Sequence, residues 1–197
     1  MDSDAARARS RVYLADAAEM MRRVGAECVE DVVRASELLV ASFRSGGKTL
    51  ICGNGGSAAD AQHLATEFVS TLTLDRPRPS IAAVALTTDT SLLTAIANDF
   101  GVDGMFARQV ESIGRAGDVL IAISTSGNSI NVLRAAERAR DLDLVVLALT
   151  GATGGRLASL ADVAVRVPSA VTAHIQECHL AIEQLIASIV EAELYPD

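Results

Sequence analysis

The chain has no tryptophan, and only 3% of its 197 residues are aromatic, although half are hydrophobic. A core of this size must therefore be built from Ala, Val, Leu and Ile, as in parallel α/β sheets whose strands are covered on both faces. There is no run of ~18 apolar residues, so no membrane-spanning helix is expected. Lysine and arginine form no cluster, and a net charge of −8 argues against a nucleic-acid surface. The three cysteines, Cys28, Cys52 and Cys178, are far apart and outside any CxxC pattern, so reduced thiols in a cytoplasmic protein are expected. The first 25 residues carry Asp2, Asp4, Asp16 and Glu19 and no apolar centre, unlike a secretory signal. No internal repeat or low-complexity tract is visible. Length alone fits one domain, residues 1–197, with residues 1–45 as an N-terminal helical extension.

Two loops of small residues carry the chemistry. Gly53-Asn54-Gly55-Gly56-Ser57 follows the apolar run Thr49–Cys52, and Ser124-Thr125-Ser126-Gly127-Asn128-Ser129 follows Val119–Ile123. A buried strand, a tight turn and a helix start expose several backbone N–H groups at the positive end of a helix dipole. Hydroxyls of Ser124, Thr125, Ser126 and Ser129 add neutral donors. Neither loop contains a lysine or the Walker pattern, so a sugar phosphate suits them better than a nucleoside triphosphate. Gly53-x-Gly55-x-x-Ala58 also fits the dinucleotide fingerprint, but that motif expects an acidic residue roughly 20 residues on, at the end of the second strand. Here Asp89 falls beyond that strand, which weighs against a dinucleotide.

Periodicity places a helix from about Ser10 to Arg44, ended by Ser45-Gly46-Gly47. Strands are expected at Lys48–Cys52, Ile81–Leu86, Val119–Ile123, Leu144–Leu149 and Val163–Val167. Helices are expected between them, near Ser57–Ser70, Thr90–Ala97, Met105–Ile113, Ile130–Arg140 and Gly155–Leu160. Alternation of this kind predicts a five-stranded parallel sheet with helices on both faces. Asp75-Arg76-Pro77-Arg78-Pro79 reads as a stiff connector. The last helix, Thr172 to Leu194, is apolar on more than one face, and with the N-terminal helix it predicts a helical bundle between subunits.

On the helix after the first loop, His63 and Glu67 lie four apart and share a face. Such a pair can be half a metal site, a base with its orienting partner, or a solvated ion pair. Gln176-Glu177-Cys178-His179 sets polar groups into the apolar last helix, where a satisfied buried polar cluster is the plainer account. Asn98-Asp99 can cap a turn or bind sugar hydroxyls.

In order, GNGGSAADAQH-x3-E, LTTDTSLLTAIANDFG, GDVL-x-AISTSGNS-x2-VL-x-A, LTG-x2-GG, VPS and IQE-x-HL resemble the phosphoheptose isomerases of the sugar-isomerase (SIS) fold, which is flavodoxin-like. The resemblance covers nearly the whole chain from about residue 45. It implies isomerisation of sedoheptulose 7-phosphate to D-glycero-D-manno-heptose 7-phosphate through an enediol or enediolate, in a homotetramer, often with zinc. It places substrate roles on Asn54, Gly55, Gly56, Glu67, Asn98, Asp99 and Gln176, and phosphate roles on Ser124, Thr125, Ser126 and Ser129. Metal roles fall on His63, Glu67 and Gln176, with Glu67 also the base. Two residues depart from the family pattern. Gln184 stands where the family has a histidine that binds metal and transfers protons, and Thr71 stands where an arginine is usual. An amide cannot relay a proton near neutral pH, so the catalytic role expected of Gln184 is, with Gln176, to donate a hydrogen bond to the enediolate oxygen. Glu183, within roughly 20° of Gln176 on the helical wheel, is a candidate replacement acid. The departure also keeps a second class in view, a non-catalytic SIS-fold module that binds sugar phosphates or a replication initiator. A relative of that kind lacks the same histidine. It has also lost the Gly-Gly, the glutamate and the second STS serine that this chain retains.

Overall fold

A computed structural model describes residues 3–73 and 77–196. Five strands, β1 (Thr49–Cys52), β2 (Ala83–Ala85), β3 (Val119–Ser124), β4 (Val145–Thr150) and β5 (Val163–Arg166), form one all-parallel sheet in the order β2-β1-β3-β4-β5. Every residue of β1 and β3 is buried, as expected for central strands covered on both faces. Alternate side chains serve opposite layers. Ile51, Ile121 and Ile123 pack with α2 (Val29–Arg44), α3 (Gly56–Val69) and α7 (Thr172–Leu194), around Leu39, Phe68 and Ile182. Leu50, Leu120 and Ala122 pack with α5 (Met105–Ile113) and α6 (Ile130–Asp141), around Phe106, Val132 and Leu133. The remaining helix of the alternating part, α4 (Thr90–Phe100), buries only Ile96.

The expected N-terminal helix is two helices, α1 (Ser3–Glu27) and α2, parted at Cys28. The apolar spacing runs through Cys28 in phase, so nothing in the periodicity marks the break. Its cause is tertiary: Cys28 is buried and its thiol donates to the Arg166 carbonyl at the end of β5 (3.4 Å). Beyond that point α2 lies on the sheet, with Val32 and Leu39 in the core, whereas α1 buries no residue. Only α1 is therefore an extension in the structural sense. Two other expectations need correction. Gly155–Leu160 holds a single 3-10 turn, Leu157–Ser159, and β2 is shorter than Ile81–Leu86 because it is an edge strand paired only with β1. Asp75 and Arg76 of the connector lie outside the described residues.

Candidate functional site

The sheet order sets where a ligand can sit. β1 pairs with β2 on one side and β3 on the other, so the connections leaving β1 and β3 diverge to opposite faces and open a crevice at their C-terminal ends. The two small-residue loops leave those two strands. They are tied side by side by a reciprocal amide pair: Asn54 Nδ2 donates to Asn131 Oδ1 (2.9 Å) and Asn131 Nδ2 to Asn54 Oδ1 (2.8 Å). Asn131, in the first turn of α6, was missed by sequence reasoning, and no motif marks it. Its pairing spends the amide head of Asn54 on holding the loops together.

The second loop is a braced cradle. Ser124 and Ser129 hydroxyls are 3.1 Å apart across it, and Ser126 Oγ accepts the Asn128 N–H (3.1 Å). Asn128 Oδ1 accepts the Arg156 N–H (3.1 Å), and the Gly151 N–H donates to the Thr125 carbonyl (3.0 Å), so the turns after β4 support the loop from below. Gly127 has φ +65°, and a Cβ there would stand 2.0 Å from the Gly154 carbonyl oxygen. Ser129, at the start of α6, does not cap its own helix, and α7 also starts without a side-chain cap. Two helix starts without a side-chain cap, beside hydroxyls, suit an anion. A cavity of about 310 Å³ opens here, lined by Thr125, Ser126, Asn128, Ser169 and Thr172 among others.

The acid–base group forms where α3 meets α7. Gly56 gives way to Gln176: a Cβ on Gly56 would lie 2.3 Å from Gln176 Nε2. Two turns along both helices, the Gln184 amide nitrogen reaches His63 Nε2 and Glu67 Oε1, the latter at 3.3 Å. His63 Nε2 also approaches Glu67 Oε1 at 3.2 Å, so the amide, the imidazole and the carboxylate form one cluster. Glu67 is 15% exposed and His63 41%, so the carboxylate sits deeper in the cleft. Gln184 thus has a positioning geometry, with both amide hydrogens turned to the residues that face the cleft.

Glu183 does not join this group. It is fully buried, and neither carboxylate oxygen has a hydrogen-bond partner among the described residues. Burial, with the nearby Asp60 charge adding to it, pushes its pKa up to about 9. Burial likewise pushes His179 down to about 4, against the effect of the Thr150 carbonyl bonded to its Nε2. Both groups are buried, so Glu183 is not exposed to a ligand in the single chain. Asn98 and Asp99 stand apart too, exposed at the end of α4, with Asn98 Nδ2 donating to Asp99 Oδ1 (2.7 Å).

Zinc fits this donor set poorly. Tetrahedral catalytic sites draw three ligands from His, Cys, Asp and Glu, whereas His63 and Glu67 supply two and the other groups are the amides of Gln176 and Gln184. Among the described residues no cluster of three His, Cys, Asp or Glu could hold a metal.

A doubly wound sheet with a serine cradle beside its switch point defines a sugar-phosphate-handling domain, and residues 12–151 match the SIS domain family. The chain is 48% identical to phosphoheptose isomerase of Rhodospirillum rubrum, over 93% of this chain and 96% of that protein. It is 51% identical to phosphoheptose isomerase 2 of Campylobacter jejuni, over 83% and 81%. The structure of phosphoheptose isomerase from Neisseria gonorrhoeae superposes with a TM-score of 0.89 at 44% identity, covering 94% of this chain and 98% of that one. The enzyme from Francisella tularensis gives 0.90 at 34%, covering 94% and 97%. The chain belongs to the phosphoheptose isomerase family of SIS-domain proteins.

Proposed function

We propose that this protein is an aldose–ketose isomerase that interconverts sedoheptulose 7-phosphate and D-glycero-D-manno-heptose 7-phosphate. One observation supports the reading: α3 and α7 bring Glu67 and Gln184 into contact, and α3 starts from the glycine loop that the Asn54–Asn131 amide pair ties to the serine cradle. The phosphate binds at Ser124, Thr125, Ser126 and Ser129 and the uncapped helix starts, which fixes the far end of the sugar and turns positioning into rate. Glu67 removes a proton from C1 of the ketose, and the electron pair moves into the C1–C2 bond to form the enediolate. An N–H of Gln176, above Gly56, stabilises the C2 oxygen as charge grows there. Glu67 then returns its proton to C2, while the C1 hydroxyl proton passes to the C2 oxygen and the C1–O1 bond becomes the aldehyde carbonyl, which completes the aldose. Asn98 and Asp99 reach the sugar hydroxyls only through movement of α4 or from a neighbouring subunit.

The same reading extends to a homotetramer in the cytoplasm with no membrane or nucleic-acid partner. Its support is the bare α1 and the acidic surface; among the described residues no helix is long and apolar enough to cross a membrane. Zinc is held weakly, through His63, Glu67 and Gln176. Replacing Gln184→His would add the missing strong donor, so the variant should bind zinc at least about tenfold more tightly by calorimetry.

The decisive experiment follows sedoheptulose 7-phosphate by proton exchange at C1 and by product formation. Wild type should turn over. Glu67→Gln, which keeps shape but cannot accept the proton, should lower kcat by at least about a hundredfold with substrate binding nearly intact. Binding without conversion in wild type would overturn the isomerase reading, and turnover that survives Glu67→Gln would overturn the assignment of the base.

A further inference from the structure

Arg78 lies outside the cleft, and its side chain is only 2% exposed. Its guanidinium is spent almost entirely on α3 and α7. One terminal nitrogen donates to the Glu67 carbonyl (2.6 Å), the other to the carbonyls of Phe68 (2.9 Å) and Pro79 (3.0 Å), and Nε donates to Glu191 Oε2. Glu191, itself 5% exposed in its side chain, also accepts the Leu72 N–H (3.4 Å). The last carbonyls of a helix have no partner within it, and α3 closes without a left-handed glycine: its C-cap Ser70 has φ −89°. Arg78 supplies that closure from outside. The cation also sits at the negative end of the α3 dipole.

The location gives the clamp its meaning. Glu67 stands in the last turn of α3, and its carboxylate meets an amide carried by α7, at Gln184. The Arg78–Glu191 pair joins the same turn of α3 to the same helix α7, two turns beyond Gln184. A shift between the two helices would change the Glu67–Gln184 contact directly, since its partners sit one on each. A buried ion pair is a poor means of adding stability, since apolar residues of similar volume serve as well or better. A bidentate cap that fixes one helix end against its neighbour is what a guanidinium does well.

We propose that Arg78 is a positioning residue for Glu67: held by Glu191, it fixes the last turn of α3 against α7 and so sets the carboxylate in its working place. The inference rests on Glu67 being the base. Its test uses the full chain and three variants, Arg78→Lys, Arg78→Ala and the double Arg78→Met/Glu191→Leu. The double variant removes both charges together, leaves no lone buried ion and should melt near wild type. If the clamp positions the base, its kcat falls about ten- to a hundredfold while KM stays within about twofold, despite the recovered stability. Arg78→Ala should show the same kcat loss and a lower Tm, and Arg78→Lys should fall between. In a Glu67→Gln background the double substitution should cost no further activity, because the group it positions is gone. Wild-type kcat in the double variant, or losses that multiply in the Glu67→Gln background, would show a role in stability alone and overturn the proposal. A wild type without turnover would overturn the isomerase reading instead, and this inference with it.

Discussion

At the scale of single residues, Glu183 and His179 have the most to say about stability. Glu183 is a carboxyl group whose pKa rises to about 9 on folding, and His179 an imidazole whose pKa falls to about 4. Between about pH 4.5 and 9 the folded Glu183 holds a proton that the unfolded chain releases, so its contribution is complete below pH ~4.5 and is lost as pH rises toward 9. His179 works the other way: between about pH 6.5 and 4 the unfolded imidazole takes a proton that the folded one refuses, so its contribution is lost as pH falls. Together they place the stability plateau between about pH 4.5 and 6.5, with decline on both sides. Glu183→Gln keeps the volume and removes the ionisation. The variant should gain on wild type as pH rises from 6 to 9, by at most about 1.4 kcal/mol per pH unit. Denaturant unfolding across that range reads the difference; parallel curves would mean that Glu183 is solvated or paired.

At the scale of elements, the cradle after β3 depends on a neighbour with which it shares no sequence motif. Gly127 is left-handed and lies against the backbone of Gly154, which is left-handed as well, with φ +70°. The atoms a Cβ on Gly127 would meet are backbone, not a flexible side chain that could move aside. Gly127→Ala should therefore cost about 1–3 kcal/mol from backbone strain alone and spread the loop from the turn after β4. We expect phosphate-ester binding by calorimetry to weaken more than the loss of stability explains. Unchanged affinity would show that the cradle tolerates the movement. The pairing of α3 with α7 follows the same logic. His63 and Glu67 share a face by spacing, yet their partners come from a helix more than 100 residues away, and only the packing of two helices on one side of the sheet brings them together.

At the scale of the whole molecule, both terminal helices leave apolar side chains uncovered. Val12 and Leu14 are 61% and 66% exposed, and Leu180 and Leu185 on α7 are 40% and 45% exposed. Tyr13 holds α1 to α7 by donating to Glu177 and by packing on the His174 ring 5.0 Å away, so α1 is placed but not covered. A second copy of the chain would cover it. Sedimentation at micromolar concentration should show a tetramer, and Leu14→Glu with Leu185→Glu should shift it to smaller species. A wild type that sediments as a monomer would refute the proposed assembly.

What the amino-acid order determined by itself is local and periodic. Apolar runs of four to six residues bounded by small-residue turns specify buried parallel strands, and the glycine and serine loops mark the tight turns that leave β1 and β3. Both were legible because burial on two faces and tight turns each restrict the residue types a position accepts. The His63–Glu67 pair was legible for the same reason, as helix geometry places residues four apart on one face. Tertiary structure alone decided the rest. The bend at Cys28 comes from a thiol pinned to β5, not from any change in pattern. Asn131 pairs with Asn54 because β1 and β3 are neighbours at the switch point. Glu183 and Gln184 are adjacent in sequence, yet one is sealed in the interior and the other meets His63 and Glu67. A helical wheel gives direction around one axis, but which side of that axis meets water, a cleft or another helix is set by how the elements pack.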